Sequence, residues 1–267
     1  MEPVYASVIG LSRVLFALQG LRCTITGAEN VPATGGAVMA VNHTGYLDFA
    51  FAGMAARPAG RLVRFMAKEQ VFRHPVSGPL MRGMHHIPVD RDAGAASYRA
   101  AVAALKSGEI VGVFPEATIS RSFELKEFKS GAVRMAAAGG VPLLPTVIWG
   151  SQRIWTKGLP RRLGRTRTPI LIGVGAPIPV SRKDEPELVL RSLRKAMTEL
   201  LHAAQDAYPP LTGDDLRFLP ARLGGTAPTP EQAEQLELAD ATDQAGSADD
   251  TAGSADQATG QDPGPPQ

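Results

Sequence analysis

The chain has 267 residues, a single cysteine and 44% hydrophobic residues, enough length for one large domain or two small ones around a sizeable core. The lone Cys23 excludes an intramolecular disulfide framework and a Cys-rich zinc site, and it fits a reducing compartment. The formal charge of +2 conceals an asymmetry: Gly224 to Gln267 holds nine acidic residues and no Lys or Arg, leaving 28 basic against 17 acidic residues and a net +11 in the rest. A basic body with an acidic tail points to an anionic partner, whether a phosphorylated substrate, a lipid surface or a nucleic acid.

In chain order, the stretch from Tyr5 to Leu18 is apolar but interrupted by Arg13, and it lacks the basic start and small-residue cleavage site of a secretory signal. It falls short of the roughly 20 apolar residues of a spanning helix. Residues 1–22 therefore read as an amphipathic helix. Such a helix either packs on the domain or lies in a membrane interface with Arg13 and Arg22 near headgroups. Within 23–223, short apolar runs alternate with helical patterns. Residues 37–41, 110–114, 143–148 and 170–174 predict buried strands, with weaker candidates at 64–67 and 86–89. Helices are predicted at 47–56, 95–106, 130–138 and 187–207; the last sets Leu188, Leu190, Leu193, Met197, Leu200 and Leu201 on roughly one face. This alternation predicts an α/β fold with a largely buried sheet flanked by helices, whose ligand groups gather on loops past strand ends. Residues 224–267 are rich in Ala, Gly, Asp, Gln, Pro and Thr and predict a disordered tail, with at most a helical turn or two at 230–239.

Asn42-His43-Thr44-Gly45-Tyr46-Leu47-Asp48 directly follows the first of those strands. His43 then sits in the turn at the strand end and Asp48 in the first turn of the next helix. A carboxylate brought back across that turn accepts from one ring N–H, fixes the tautomer and leaves the other nitrogen to take a hydroxyl proton. Taken by itself, the fragment favours the plainer reading of a turn histidine and an acid suited to a helix N-terminus, the commoner outcome for so short a motif.

Three further stretches stand in order behind it: Met84-His85-His86-Ile87-Pro88-Val89-Asp90-Arg91, Val113-Phe114-Pro115-Glu116-Ala117-Thr118-Ile119-Ser120, and Val141-Pro142-Leu143-Leu144-Pro145-Thr146. Across roughly residues 35 to 150, the four together resemble the ordered motifs of the glycerolipid acyltransferase family, typified by 1-acylglycerol-3-phosphate acyltransferases. The family patterns are Asn-His-x-Ser-x-x-Asp, Gly-x-Ile-x-x-x-Arg, Phe-Pro-Glu-Gly-Thr-Arg-Ser and a Val-Pro-x-x-Pro run. The resemblance implies a mixed α/β fold with a central sheet, and transfer of a fatty acyl group from acyl-CoA or acyl carrier protein to a lysophospholipid hydroxyl. It implies His43 as general base and Asp48 as its orienting partner, with no metal and no cofactor beyond the acyl thioester substrate. It places Lys68, Arg91, Glu116 and Thr118 at acceptor-binding positions, with Pro142 and Pro145 shaping a loop. A local ion pair with Asp90 or Asp92 is the alternative for Arg91, and a structural acceptor of loop amides is the alternative for Glu116.

Three positions depart from the family pattern. Gly45 stands where the family has Ser, Ala117 where it has Gly, and Ile119 where it has Arg. Arg121, two residues on, is the expected substitute for that missing charge. The departures keep two further readings open: acyl transfer to a different lysolipid, and a non-catalytic lysolipid-binding or regulatory protein. A hydrolase using the same base on water is a third. Adjacent His85 and His86 face opposite ways on a strand and do not predict a metal site. The basic stretch Arg153, Lys157, Arg161, Arg162, Arg165 and Arg167 lacks a nucleic-acid motif. With Trp149, Trp155 and Leu159 it suits either an anionic membrane surface or a solvated loop. The expectation is a peripheral or monotopic enzyme on the cytoplasmic face of the membrane, with no nucleic-acid partner.

Overall fold

The computed structural model describes residues 2–90, 94–240 and 242. Seven strands form one sheet: β1 (Arg22–Thr26), β2 (Ala37–Val41), β3 (Val63–Lys68), β4 (Ile87–Val89), β5 (Ile110–Val113), β6 (Leu143–Trp149) and β7 (Pro169–Val174). Their order across the sheet is β1-β7-β6-β2-β5-β3-β4. Every neighbouring pair is parallel except β6 and β7, so the sheet is mixed. The helices are α1 (Pro3–Gln19), α2 (Asp48–Ala56), α3 (Glu69–Arg73), α4 (Ser77–Gly83), α5 (Gly94–Lys106), α6 (Gly131–Gly139), α7 (Pro186–Asp206) and α8 (230–240).

Strand β2 shows why the sheet is buried on both faces. All five of its residues are apolar and buried. Because side chains alternate, Ala37, Met39 and Val41 pack with Phe51, Ala52, Ala55 and Ala56 of α2. Val38 and Ala40 pack on the opposite face with Ala101 and Leu105 of α5, Val133 and Ala136 of α6, and Leu193 and Met197 of α7. Burying each of these large side chains contributes about 1.5–3 kcal/mol, so the centre of the sheet is the stable platform of the molecule. The parallel strands β2, β3, β4, β5 and β6 all end at one sheet edge, and the loops leaving that edge carry the motifs.

Several elements differ from the sequence expectation. Strand β1 was not expected: it is an edge strand, only Cys23 and Ile25 of Arg22-Cys23-Thr24-Ile25-Thr26 turn inward, and it carries no apolar run. Helix α7 buries Val189, Leu193, Met197 and Leu201, whereas Leu188 is exposed. A strict four-residue stripe faces the sheet, so Val189 takes the place expected for Leu188. Trp149, grouped above with a basic surface, lies in the core against Tyr208. The basic stretch around it is largely paired within the molecule. Arg153 and Arg162 both bind Asp215 (2.6 and 2.7 Å), and Arg161 stacks over Trp155 at 4.2 Å.

The chain ends also pack on the body. Helix α1 docks through buried Tyr5, whose hydroxyl donates to the Val63 carbonyl (2.9 Å), through Phe16 stacked on Phe51, and through Glu2 paired with buried Arg64. Its other side exposes Val4, Leu11, Val14, Leu15 and Leu18. Helix α1 thus packs on the domain by one face and leaves an apolar stripe exposed on the other. Among the described residues, no helix is long and apolar enough to cross a membrane. Part of the acidic tail departs from the disorder expected for 224–267. Ala227 and Ala233 are buried, and α8 binds the body through acidic side chains. Composition counted those acids as disorder-promoting, but each one used here meets a fixed cation. Residues 243–267 lie outside the described residues.

Candidate active site

The site is assembled where β2, β5 and β6 end. Asn42, fully buried just past β2, bridges to β6: its side-chain amide donates to the Ile148 carbonyl (3.0 Å) and its carbonyl accepts the Ile148 amide (2.7 Å). This clamp fixes the point at which the chain turns. His43 follows, and after the turn Asp48 opens α2.

Asp48 is fully buried, and its carboxylate gathers four donors. One oxygen accepts from His43 Nδ1 (3.0 Å), the Thr44 amide (2.7 Å) and the Gly45 amide (2.8 Å). The other accepts the Ser151 hydroxyl. Surroundings made wholly of donors assign the proton to Nδ1, which leaves Nε2 with a free lone pair. The imidazole stacks on Phe114 with ring centroids 4.0 Å apart, and 19% of the side chain remains open to solvent. Phe114 in turn stacks on Phe65, whose ring crosses Gly112 so closely that a Cβ there would lie 2.4 Å from it. A glycine in β5 thus allows the aromatic row behind the histidine.

Glu116 is buried beneath this turn. One carboxylate oxygen accepts the backbone amide of His43 (2.9 Å) and the other accepts that of Lys126 (3.1 Å). Burial pushes its pKa up to about 8, against those two donors, which favour the charged form. The Ser120 amide donates to the His43 carbonyl (2.7 Å), so the loop after β5 is laced to the histidine backbone from two sides. Thr118 stands on that loop, and its hydroxyl accepts from Lys126 Nζ (2.7 Å). Arg121 lies midway along the same loop and, with Lys157 from the segment after β6, binds Asp240 at 2.8 Å each.

The structure therefore joins His43, Asp48 and Glu116 directly, ties Thr118 to them through Lys126, and binds Arg121 to α8, which also binds Lys126. Lys68 is exposed at the end of β3, on the same sheet edge but two strands from β2. Arg91 lies outside the described residues. Sequence reasoning missed Ser151, Lys126 and Lys157 as neighbours of the site. Ser151 and Asp48 are 103 positions apart, and no local spacing relates them. His85 is exposed, whereas His86 is buried, accepts the Phe65 amide (3.0 Å) and has its pKa lowered to about 4 by burial.

A family model described as Acyltransferase matches residues 22–149. A 1-acyl-sn-glycerol-3-phosphate acyltransferase from Bacillus subtilis is 31% identical over 194 residues, covering 71% of this chain and 89% of that protein. The chain belongs to the glycerolipid acyltransferase family. A 1-acyl-sn-glycerol-3-phosphate acyltransferase from Limnanthes douglasii is 31% identical over 159 residues, which cover 58% of this acyltransferase and 54% of that one. In fold, the chain is similar to the crystal structure of a 1-acyl-sn-glycerophosphate acyltransferase from Thermotoga maritima. The TM-score is 0.60 at 21% identity, covering 74% of this chain and 78% of that one.

The family departures now have physical surroundings. At Gly45, a Cβ would press on Ser151 Oγ at 3.0 Å and on the Trp155 carbonyl at 3.1 Å. In this acyltransferase the space beside Asp48 is taken by the Ser151 hydroxyl instead. Ile119 is buried, so the position that carries Arg in the family motif points into the fold. Ala117 has φ 63°, a left-handed conformation that suits the family's Gly, and still makes the turn in which its amide donates to the Phe114 carbonyl (3.0 Å). We expect Ala117→Gly to change turnover by less than about threefold. Relief of roughly 1–2 kcal/mol of left-handed strain is offset by the greater freedom of Gly in the unfolded chain, about 0.4–1 kcal/mol. Melting temperature and initial rate, measured side by side, check this. A tenfold rise in activity would mean that Ala117 disables the native loop.

Proposed function

We propose that this acyltransferase moves a fatty acyl group from an acyl thioester, acyl-CoA or acyl carrier protein, to the free hydroxyl of 1-acylglycerol-3-phosphate, giving phosphatidic acid. The observation that carries the reading is the buried Asp48 carboxylate holding His43 by Nδ1. His43 Nε2 takes the acceptor's hydroxyl proton as the oxygen attacks the thioester carbonyl. The tetrahedral adduct collapses, the C–S bond breaks, and the departing sulfur takes the proton back from the imidazolium. A base placed in this way contributes about 10²–10⁴-fold. Asp48 supports it by fixing the tautomer and by stabilising the transient positive charge. The chemistry requires neither a metal nor a cofactor.

The acceptor's phosphate is assigned to Arg121 and Lys126, two cations of the loop that carries Glu116, with Thr118 as a hydroxyl donor and Lys68 and Arg91 as further candidates. Holding that end places the hydroxyl at His43, an orientation effect separate from base catalysis. Glu116 acts through the backbone: both of its oxygens are engaged by amides, so its part is to tie the His43 turn to the Lys126 segment. The exposed stripe of α1 supports a peripheral or monotopic position on the cytoplasmic face of the membrane, with Leu11 and Leu18 set into the lipid. The named relatives support the choice of acceptor.

A lysolipid panel tests the reading. Purified protein is given one acyl-CoA with lysophosphatidic acid, lysophosphatidylglycerol or lysophosphatidylcholine, and products are identified by mass spectrometry. We expect phosphatidic acid to form at least ten times faster than the other diacyl products. Free fatty acid as the main product would make the protein a hydrolase. Lysolipid binding without CoA release would make it a non-catalytic binding protein.

A further inference from the structure

We infer that helix α8 is an intramolecular occupant of the acceptor-phosphate site, so that the acidic C-terminal segment holds the enzyme in a self-inhibited state until an anionic lysolipid displaces it. This rests on the assignment of the phosphate to Arg121 and Lys126.

Three cations from separate positions converge on two carboxylates of one helix. Asp240 binds Arg121 Nη2 and Lys157 Nζ, each at 2.8 Å, and Glu237 binds Lys126 Nζ. Residues 237 and 240 are three apart and share a helix face, so α8 presents both acids at once. Lys126 links these contacts to the His43 turn. Lys126 Nζ also holds Thr118 Oγ1, and its backbone amide shares the Glu116 carboxylate with the amide of His43.

The fit of the carboxylates is incomplete. Arg121 Nε and Glu237 Oε1 are buried and have no hydrogen-bond partner among the described residues. A carboxylate offers two oxygens, whereas a phosphate monoester offers three terminal oxygens and up to two negative charges, and can also engage the guanidinium Nε. Arginine forms such paired contacts with phosphate. The cluster is thus better matched to phosphate than to the acids now in it. The helix is also held lightly: among its described residues only Ala233 is buried, Leu236 and Leu238 are exposed, and its ties to Arg121, Lys126 and Lys157 are ionic. An element attached by a few partly exposed ion pairs opens at low cost. While it is closed, only the open fraction binds acceptor, and the apparent affinity falls in proportion.

The test compares full-length wild type with Glu237→Gln/Asp240→Asn. Removing both charges should lower the apparent KM for lysophosphatidic acid about fivefold and leave kcat unchanged, in line with the modest worth of exposed pairs. An unchanged KM, or a loss of turnover with a lowered melting temperature, would show α8 to be a structural brace and overturn the inference. A second measurement does not depend on turnover. Hydrogen exchange of amides 231–240 is followed in wild type with lysophosphatidic acid or zwitterionic lysophosphatidylcholine in the same detergent. Lysophosphatidic acid alone should speed exchange; equal effects of the two lipids, or none, would overturn the inference. If neither protein forms phosphatidic acid, the proposed reaction fails, and the exchange result still decides the fate of the helix.

Discussion

Replacing His43 with Ala should lower kcat by about 10³-fold while leaving the fold intact, because a positioned base contributes roughly 10²–10⁴-fold. The ring stacks on Phe114 and is part-open to solvent, so its loss exposes little core. The backbone at position 43 keeps its amide bond to Glu116 and its carbonyl bond from the Ser120 amide. Melting temperature and sedimentation with lipid vesicles should therefore match wild type, while CoA release collapses. Wild-type turnover by this variant would remove the mechanism.

Asp48→Asn should lose activity and stability together. The carboxylate accepts from His43, Thr44, Gly45 and Ser151, and an amide can replace only one of its oxygens as an acceptor. The amide NH2 then faces at least one donor inside a closed core. Each buried donor left unmet costs about 1–3 kcal/mol, and for a domain of this size each kcal/mol lowers the melting temperature by about 2–4 °C. We expect a drop of about 5–10 °C. We also expect a fall in kcat of about 10²–10⁴-fold, because the wrong histidine tautomer is no longer excluded. Thermal melts and initial rates on one preparation separate the two effects. A variant with native stability and near-native turnover would mean that Asp48 neither braces the turn nor orients the ring.

What could be read from sequence was local. The His43–Asp48 pair spans one strand-turn-helix junction, and the buried β2, β5 and β6 announce themselves as apolar runs. What escaped is non-local or charge-driven. The Ser151 hydroxyl reaches Asp48 through the fold, and the Asn42 clamp needs β6 beside β2. Lys126 and Lys157 gain meaning only when α8 meets them. Acids that composition counts toward disorder become helix contacts once fixed cations face them. Edge strand β1, with alternate polar residues, carries too weak a pattern to stand out beside its neighbours.

The most direct measurement is the tautomer of His43, read by long-range proton–nitrogen correlation on histidine-labelled protein at neutral pH, with His43→Ala used to assign the signal. Protonated Nδ1 and unprotonated Nε2 would agree with a ring held by Asp48 and ready to accept a proton from substrate. A proton on Nε2 with Nδ1 bare would mean that the nitrogen facing the acceptor has no lone pair to offer, and the proposed base would not exist in that form.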